Sequence, residues 1–218
     1  MIHYLFHWIT AALAIAQRNM SFMVWNSFLA FIPLVLSVWL FRGRGARTIV
    51  WWLGLGIFIA FLPNAPYVLT DLIHLVQNIR MGYSIWVITL VLVPQYLLFM
   101  LAGFQAYVIA VINLGHYLQR QGYQKWVLGT ELFIHFLCAI GIYLGRFPRF
   151  NSWDIVARPG TLITGVEQLL HRRPIVIIAI TFSIMTLLYW VCKQINLALL
   201  IYWQQRHRQT LSLNQFSK

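Results

Sequence analysis

Between Met81 and Gln119 the chain reads MGYSIWVITLVLVPQYLLFMLAGFQAYVIAVINLGHYLQ, 39 residues without a Lys, Arg, Asp or Glu. A hydrocarbon core about 30 Å thick is crossed by about 20 largely apolar helical residues. The stretch is long enough for one crossing and too short for two with a turn between them. It therefore predicts one long helix, bent at Pro94 and tilted to take up its excess length.

Working outward, further uncharged stretches run from Met1 to Gln17, Asn19 to Phe41, Thr48 to Thr70, Leu132 to Gly145 and Pro174 to Cys192. The whole chain of 218 residues is 61% hydrophobic and 16% aromatic, and only 9% of it is charged. Soluble domains carry roughly 25% charged residues, so an ordinary cytosolic globule and a disordered chain are both excluded. The runs lack the period-two alternation of a membrane barrel. The expected fold is all-α: one integral membrane domain over residues 1–218, a polytopic bundle of five or six spans with short interfacial helices in two outer loops. Spans are expected near residues 2–16, 21–41, 48–62, 85–112, 127–145 and 175–200, followed by a polar, basic tail at 203–218. The first segment has no basic residue ahead of its apolar run, unlike a secretory signal peptide, and it either crosses or lies flat. No internal repeat is evident, which weakens a reading as inverted transporter halves.

Sixteen Lys and Arg against four Asp and Glu leave a net charge of +12. Lys and Arg set sidedness. One face receives Arg42, Arg44, Arg47, Arg120, Lys125, Lys193, Arg206, Arg208 and Lys218; the other receives Arg18, Arg80, Arg146, Arg149, Arg158, Arg172 and Arg173. The first face is the expected cytoplasmic one. Because the basic residues are scattered over loops beside apolar spans, membrane lipids are the expected partners and nucleic acid is not. Trp51, Trp52, Tyr83, Trp86, Trp126 and Trp203 near span ends suit interfacial belts. Cys138 and Cys192 fall inside spans and read as packing residues.

Two segments break the apolar pattern. In Phe61-Leu-Pro-Asn-Ala-Pro-Tyr-Val-Leu-Thr-Asp-Leu-Ile-His-Leu75 the prolines disfavour helix at Leu62 and Ala65, so the span that precedes them is expected to stop near Leu62. Asn64 is placed to satisfy some of the backbone groups freed there. Beyond Pro66 an amphipathic helix is expected along the membrane surface, with Val68, Leu72, Leu75, Val76 and Ile79 on one side and Tyr67, Asp71, His74 and Asn78 on the other. Two readings stand: Asn64 and Asp71 serve that helix's positive end, or Asp71 and His74, one turn apart, face a cleft. In Tyr143-Leu-Gly-Arg-Phe-Pro-Arg-Phe-Asn-Ser-Trp-Asp154, Pro148 should end a span around Phe147 and leave Arg146 and Arg149 at the water boundary. There Asn151 and Asp154 read either as a capping pair or as ligand contacts.

Parity puts both segments on one membrane face whichever way the chain inserts. Asp71 and His74 are thus candidate catalytic residues, while Asn64, Arg146, Arg149, Asn151 and Asp154 are candidate binding residues. An ion pair of Arg146 or Arg149 with Asp71 or Asp154, pinning two loops together, is the structural alternative. Elsewhere, Glu131 and His135 share a face of one span; a Glu131–Lys193 pair would explain the first, and a proton relay is the rival. Asn26 is expected to bond across helices or to reach the Pro63 break. His3 and His7 have helical metal-ligand spacing but no third ligand, and no metal or cofactor is called for. No HExxH, Walker, CxxC or GxSxG motif occurs.

The strings WNSFLAFIP at Trp25–Pro33, FLPNAPYVLTDLIHL at Phe61–Leu75 and YLGRFPRFNSWD at Tyr143–Asp154 resemble those of a family of bacterial multi-pass membrane proteins, domain of unknown function 1361. The resemblance runs from about Phe22 to about Trp203. Pro148 and Phe150 depart from the apolar residue and the Trp associated with that loop in the family. The resemblance implies the multi-pass class and lends no substrate, reaction or catalytic residue. The sequence therefore points to a bacterial inner membrane protein of unknown biochemical activity, with a polar patch at the outer interface expected to recognise an anionic lipid headgroup or similar ligand. A proton-coupled or small-solute transporter and a structural or assembly subunit are the alternatives, and whether the protein is an enzyme is left open.

Overall fold

A computed structural model describes residues 2–43, 45, 47–150, 160 and 172–216, without the side chains of 2–9, 11 and 207–216. Helices make up the fold, and among the described residues there is no strand. The chain begins with α1 (Ile2–Ser37), which a π-turn at Val38–Arg42 extends. There follow α2 (Ile49–Phe61), α3 (Asn64–Tyr67), a 3-10 turn at Val68–Asp71 and α4 (Leu72–Arg80). A helical lead-in at Ile85–Leu92 opens α5 (Val93–Arg120), and α6 (Val127–Arg146) and α7 (Arg172–Phe216) complete the order. Five helical stretches are long and apolar enough to cross a membrane: Ala12–Arg42, Ile49–Arg80, Ile85–Arg120, Gln124–Arg146 and Arg172–Arg206.

The separate spans expected at 2–16 and 21–41 are one helix. Arg18 and Asn19, read as a break, lie within α1 because neither residue stops a helix and both find partners: Arg18 reaches the Tyr83 hydroxyl at 3.4 Å, and Asn19 donates to its own helix at Ile15. At 1.5 Å per residue, Arg18 and Arg42 are about 36 Å apart along the axis, bracketing a core of about 30 Å.

α2 ends at Phe61, where the prolines are expected to stop it, but the helical stretch long and apolar enough to cross a membrane runs on to Arg80. Leu62 (φ −56°, ψ −38°) and Pro63 (φ −60°, ψ −23°) keep right-handed helical angles, since proline's fixed φ suits a helix and only its missing N–H interrupts the ladder. The Leu62 carbonyl is taken by Ala65 N–H at 3.2 Å and the Phe61 carbonyl by the Asn64 amide at 3.0 Å. The chain then climbs antiparallel to α1, with Asp71 against Asn26, His74 against Phe22 and Asn78 against Asn19. Asn26 is about 24 Å of rise from Arg42, so Asp71 lies within the hydrocarbon depth, nearer the Arg18 side.

Burial along this segment differs from that of a soluble amphipathic helix. Asp71 and Asn78 are buried together with Val68 and Leu75, while Leu72, Ile73, Val76 and Ile79 are 40–48% exposed. Part of the polar face expected to be solvated, Asp71 and Asn78, thus points inward. Against lipid, apolar side chains lose nothing by facing outward, and polar ones need protein partners.

Candidate functional site

Three glycines let the kinked segment sit deep in the bundle. A Cβ at Gly141 of α6 would lie 2.7 Å from Pro63, one at Gly145 would lie 3.2 Å from the Tyr67 ring, and one at Gly103 of α5 would lie 2.6 Å from Val68. Small residues four apart are a common means of close helix approach in membranes, and Gly141 and Gly145 use it here. Pro148 ends α6 as the sequence predicts, with Phe147 as its last cap. Arg149 follows in a left-handed conformation (φ 61°), and Phe150 N–H returns to the Leu144 carbonyl at 3.1 Å.

This packing brings Asp71 and Arg146 together. Arg146 Nη1 is 3.6 Å from Asp71 Oδ1 and 3.3 Å from the Tyr67 hydroxyl, and Nη2 donates to the Thr70 carbonyl. The guanidinium also lies 5.5 Å from the Tyr67 ring centre. Asn26 of α1 donates its amide to Asp71 Oδ2 at 2.8 Å. The carboxylate is thereby held on both oxygens, which a group 1% exposed requires. His74 Nε2 stands 3.8 Å from Asp71 Oδ1, with Nδ1 3.2 Å from Gln77 Oε1. Asp71 itself makes no capping bond to α4, so the purely capping role is not what its side chain does.

These groups form the polar end of a groove of about 470 Å³. Asn64, Asp71, His74 and Arg146 line that end, and Phe22, Trp25, Leu29, Leu137 and Ile140 wall the remainder between α1 and α6. Arg149 is exposed beside Phe150 of the groove wall. Asn151 and Asp154 lie outside the described residues. Tyr67, Phe22 and Trp25 were not singled out as site residues from the sequence. The spacing of Gly141 and Gly145 was the available signal, because it marks where another segment must approach.

Glu131 and His135 occupy a different place. Lys193 Nζ is 2.6 and 2.9 Å from the two Glu131 oxygens, the pair anticipated from their equal depth. Tyr189 donates to Glu131 Oε1 at 2.8 Å, its ring packs 4.5 Å from His135, and His135 Nδ1 meets the Tyr107 hydroxyl. None of these five residues lines the groove.

The family model described as "Protein of unknown function (DUF1361)" matches residues 25–188, most of the chain. The chain belongs to that family. The matched region takes in Trp25, the kinked segment and both partners of the Asp71–Arg146 pair. No curated protein and no solved structure matches the chain.

Proposed function

We propose that this DUF1361 member is a multi-pass protein of a bacterial inner membrane that binds an amphiphile in the groove between α1 and α6. The anionic head of the ligand meets His74 and the edge of the Asp71-paired Arg146, with Arg149 at the mouth on the outer side supplying a charge unpaired among the described residues, and its apolar tail lies along Leu29, Leu137 and Ile140. The observation that carries this reading is the groove's composition: a trough with apolar walls, ending at the paired Arg146 guanidinium and Asp71 carboxylate, an imidazole and an amide. A small ligand site of a few hundred Å³ with apolar walls and a few convergent polar groups has this character. Arginine's planar fork matches phosphate and carboxylate. The Asp71–Arg146 pair also pins two segments, so it serves both readings, and the groove beside it is what favours a ligand.

A second reading adds proton transfer. His74, 3.8 Å from the buried Asp71 and bordering the groove, is placed to exchange a proton with a bound head group, which would make the protein an interfacial enzyme. A transporter is less well supported, because Glu131 and His135 do not border the groove.

The test uses a phosphatidylglycerol with brominated chains, which quenches nearby tryptophan. Trp25 lines the trough, so part of the quenching should vanish in Trp25→Phe, and Leu137→Trp should weaken lipid binding at the groove about tenfold while the protein stays folded. Unchanged quenching in both variants would refute the groove as the binding place.

A further inference from the structure

At the opposite end of the bundle, two adjoining hollows of about 460 and 380 Å³ share Arg120. The first is lined by Arg47, Trp51 and Tyr117, the second by Arg42, Asn113 and His116. Each arginine is built in rather than dangling. Arg42 donates Nε to Asn113 Oδ1 at 2.9 Å, and Asn113 donates in turn to Ser37 at 2.9 Å, whose hydroxyl bonds the Leu34 carbonyl. Arg47 donates to Gln121 at 2.7 Å and lies 5.6 Å from the Tyr117 ring centre and 6.0 Å from that of Trp51. Arg120 donates to the Phe41 carbonyl.

Among the described residues, no acid pairs with these arginines. The four acidic residues of the chain are Asp71, Glu131, Asp154 and Glu167. Asp71 is held by Arg146 and Asn26 near the far face, and Glu131 is held by Lys193 and Tyr189. The connections 43–48 and 121–126 and the whole of 193–218 contain no Asp or Glu. Charge sidedness accounts for basic residues in these loops but not for their convergence on walled hollows. Basic pockets between membrane helices take phosphate-bearing headgroups.

We propose that Arg42, Arg47 and Arg120 form a second anion site, for the phosphate of a lipid headgroup or for free phosphate, separate from the groove at Asp71. Trp51 and Tyr117 hold the Arg47 guanidinium by its face, which leaves its edge free for a phosphate fork.

The test is native mass spectrometry of the full chain in neutral detergent with dioleoyl phosphatidylglycerol, dioleoyl phosphatidylcholine or inorganic phosphate. All measurements use the Leu137→Trp background, which lowers the groove's contribution equally in every variant compared. The expected result is preferential retention of phosphatidylglycerol over phosphatidylcholine. Retention should fall about 25-fold in Arg47→Gln/Arg120→Gln, at about fivefold per arginine, and recover partly in Arg47→Lys/Arg120→Lys. Arg80→Gln, on the other face, should change nothing. Inorganic phosphate that displaces the lipid at equal concentration assigns the site to free phosphate; failure to displace it assigns the lipid. Equal retention of both lipids with no phosphate bound, or full retention by a folded double Gln variant, overturns the proposal.

Discussion

The two ends of this bundle handle arginine in opposite ways. Near one face, Arg146 is tied to a buried carboxylate, a hydroxyl and a carbonyl, and its positive charge is cancelled within the hydrocarbon depth. At the other, Arg42, Arg47 and Arg120 are oriented by amides, a carbonyl and aromatic faces, none of which carries negative charge. The first arrangement is stability made from charge, since separating the partners strands an ion in a poor solvent. The second stores unneutralised positive potential where water and headgroups can reach it.

The contrast is broken most directly at Asp71. Asp71→Ala leaves the Arg146 charge unpaired and should lower unfolding stability by about 3–5 kcal/mol. The same measurement on Arg47→Gln/Arg120→Gln should show a change of about 1 kcal/mol or less, as expected for exposed charges. Comparable losses at the two ends would end the distinction. Next in size is Gly141→Ala, whose added Cβ meets Pro63 at 2.7 Å. Overpacking of this kind costs about 1–3 kcal/mol, and thermal melting in detergent should show it without any change at the Arg47 end. A similar or smaller effect is expected of Asn113→Ala, which frees Arg42 by removing two hydrogen bonds, at about 1 kcal/mol each or less. Its phosphatidylglycerol retention should fall by less than that of the double Gln variant.

Why was some of this legible in the sequence? The all-α membrane class followed from missing charges, and the Glu131–Lys193 pair followed from counting residues in from one face on two spans. The meeting of the two proline-marked segments rested on parity, which survives a change from six spans to five because both segments keep the same side. What could not be read has physical causes. The amphipathic pattern of residues 67–79 does not say which residues turn inward, and against lipid Asp71 and Asn78 are buried beside Val68 and Leu75 while Leu72, Val76 and Ile79 face out. Proline signals a lost donor, yet its φ is helical, so α2 ends at Phe61 while Leu62 and Pro63 keep the helical angles that lead into α3. Arg18 reads as a loop residue only until a hydroxyl such as that of Tyr83 is near enough to receive it. Gly141 and Gly145 were visible throughout, but their partner was not, since spacing locates a close approach without naming what approaches. Asn151 and Asp154 lie outside the described residues, so the far half of the second motif has no place in the comparison.

Everything assigned to the groove depends on Asp71 and Arg146 being partners across two helices. A double-mutant cycle with Asp71→Asn, Arg146→Gln and the combined variant, read by reversible unfolding of the full chain in mixed micelles, measures that partnership directly. The account predicts a favourable coupling of at least about 1.5 kcal/mol, with the double variant more stable than the sum of the single losses implies. Strictly additive losses would mean that the two residues do not meet, and the groove's polar end would lose its basis.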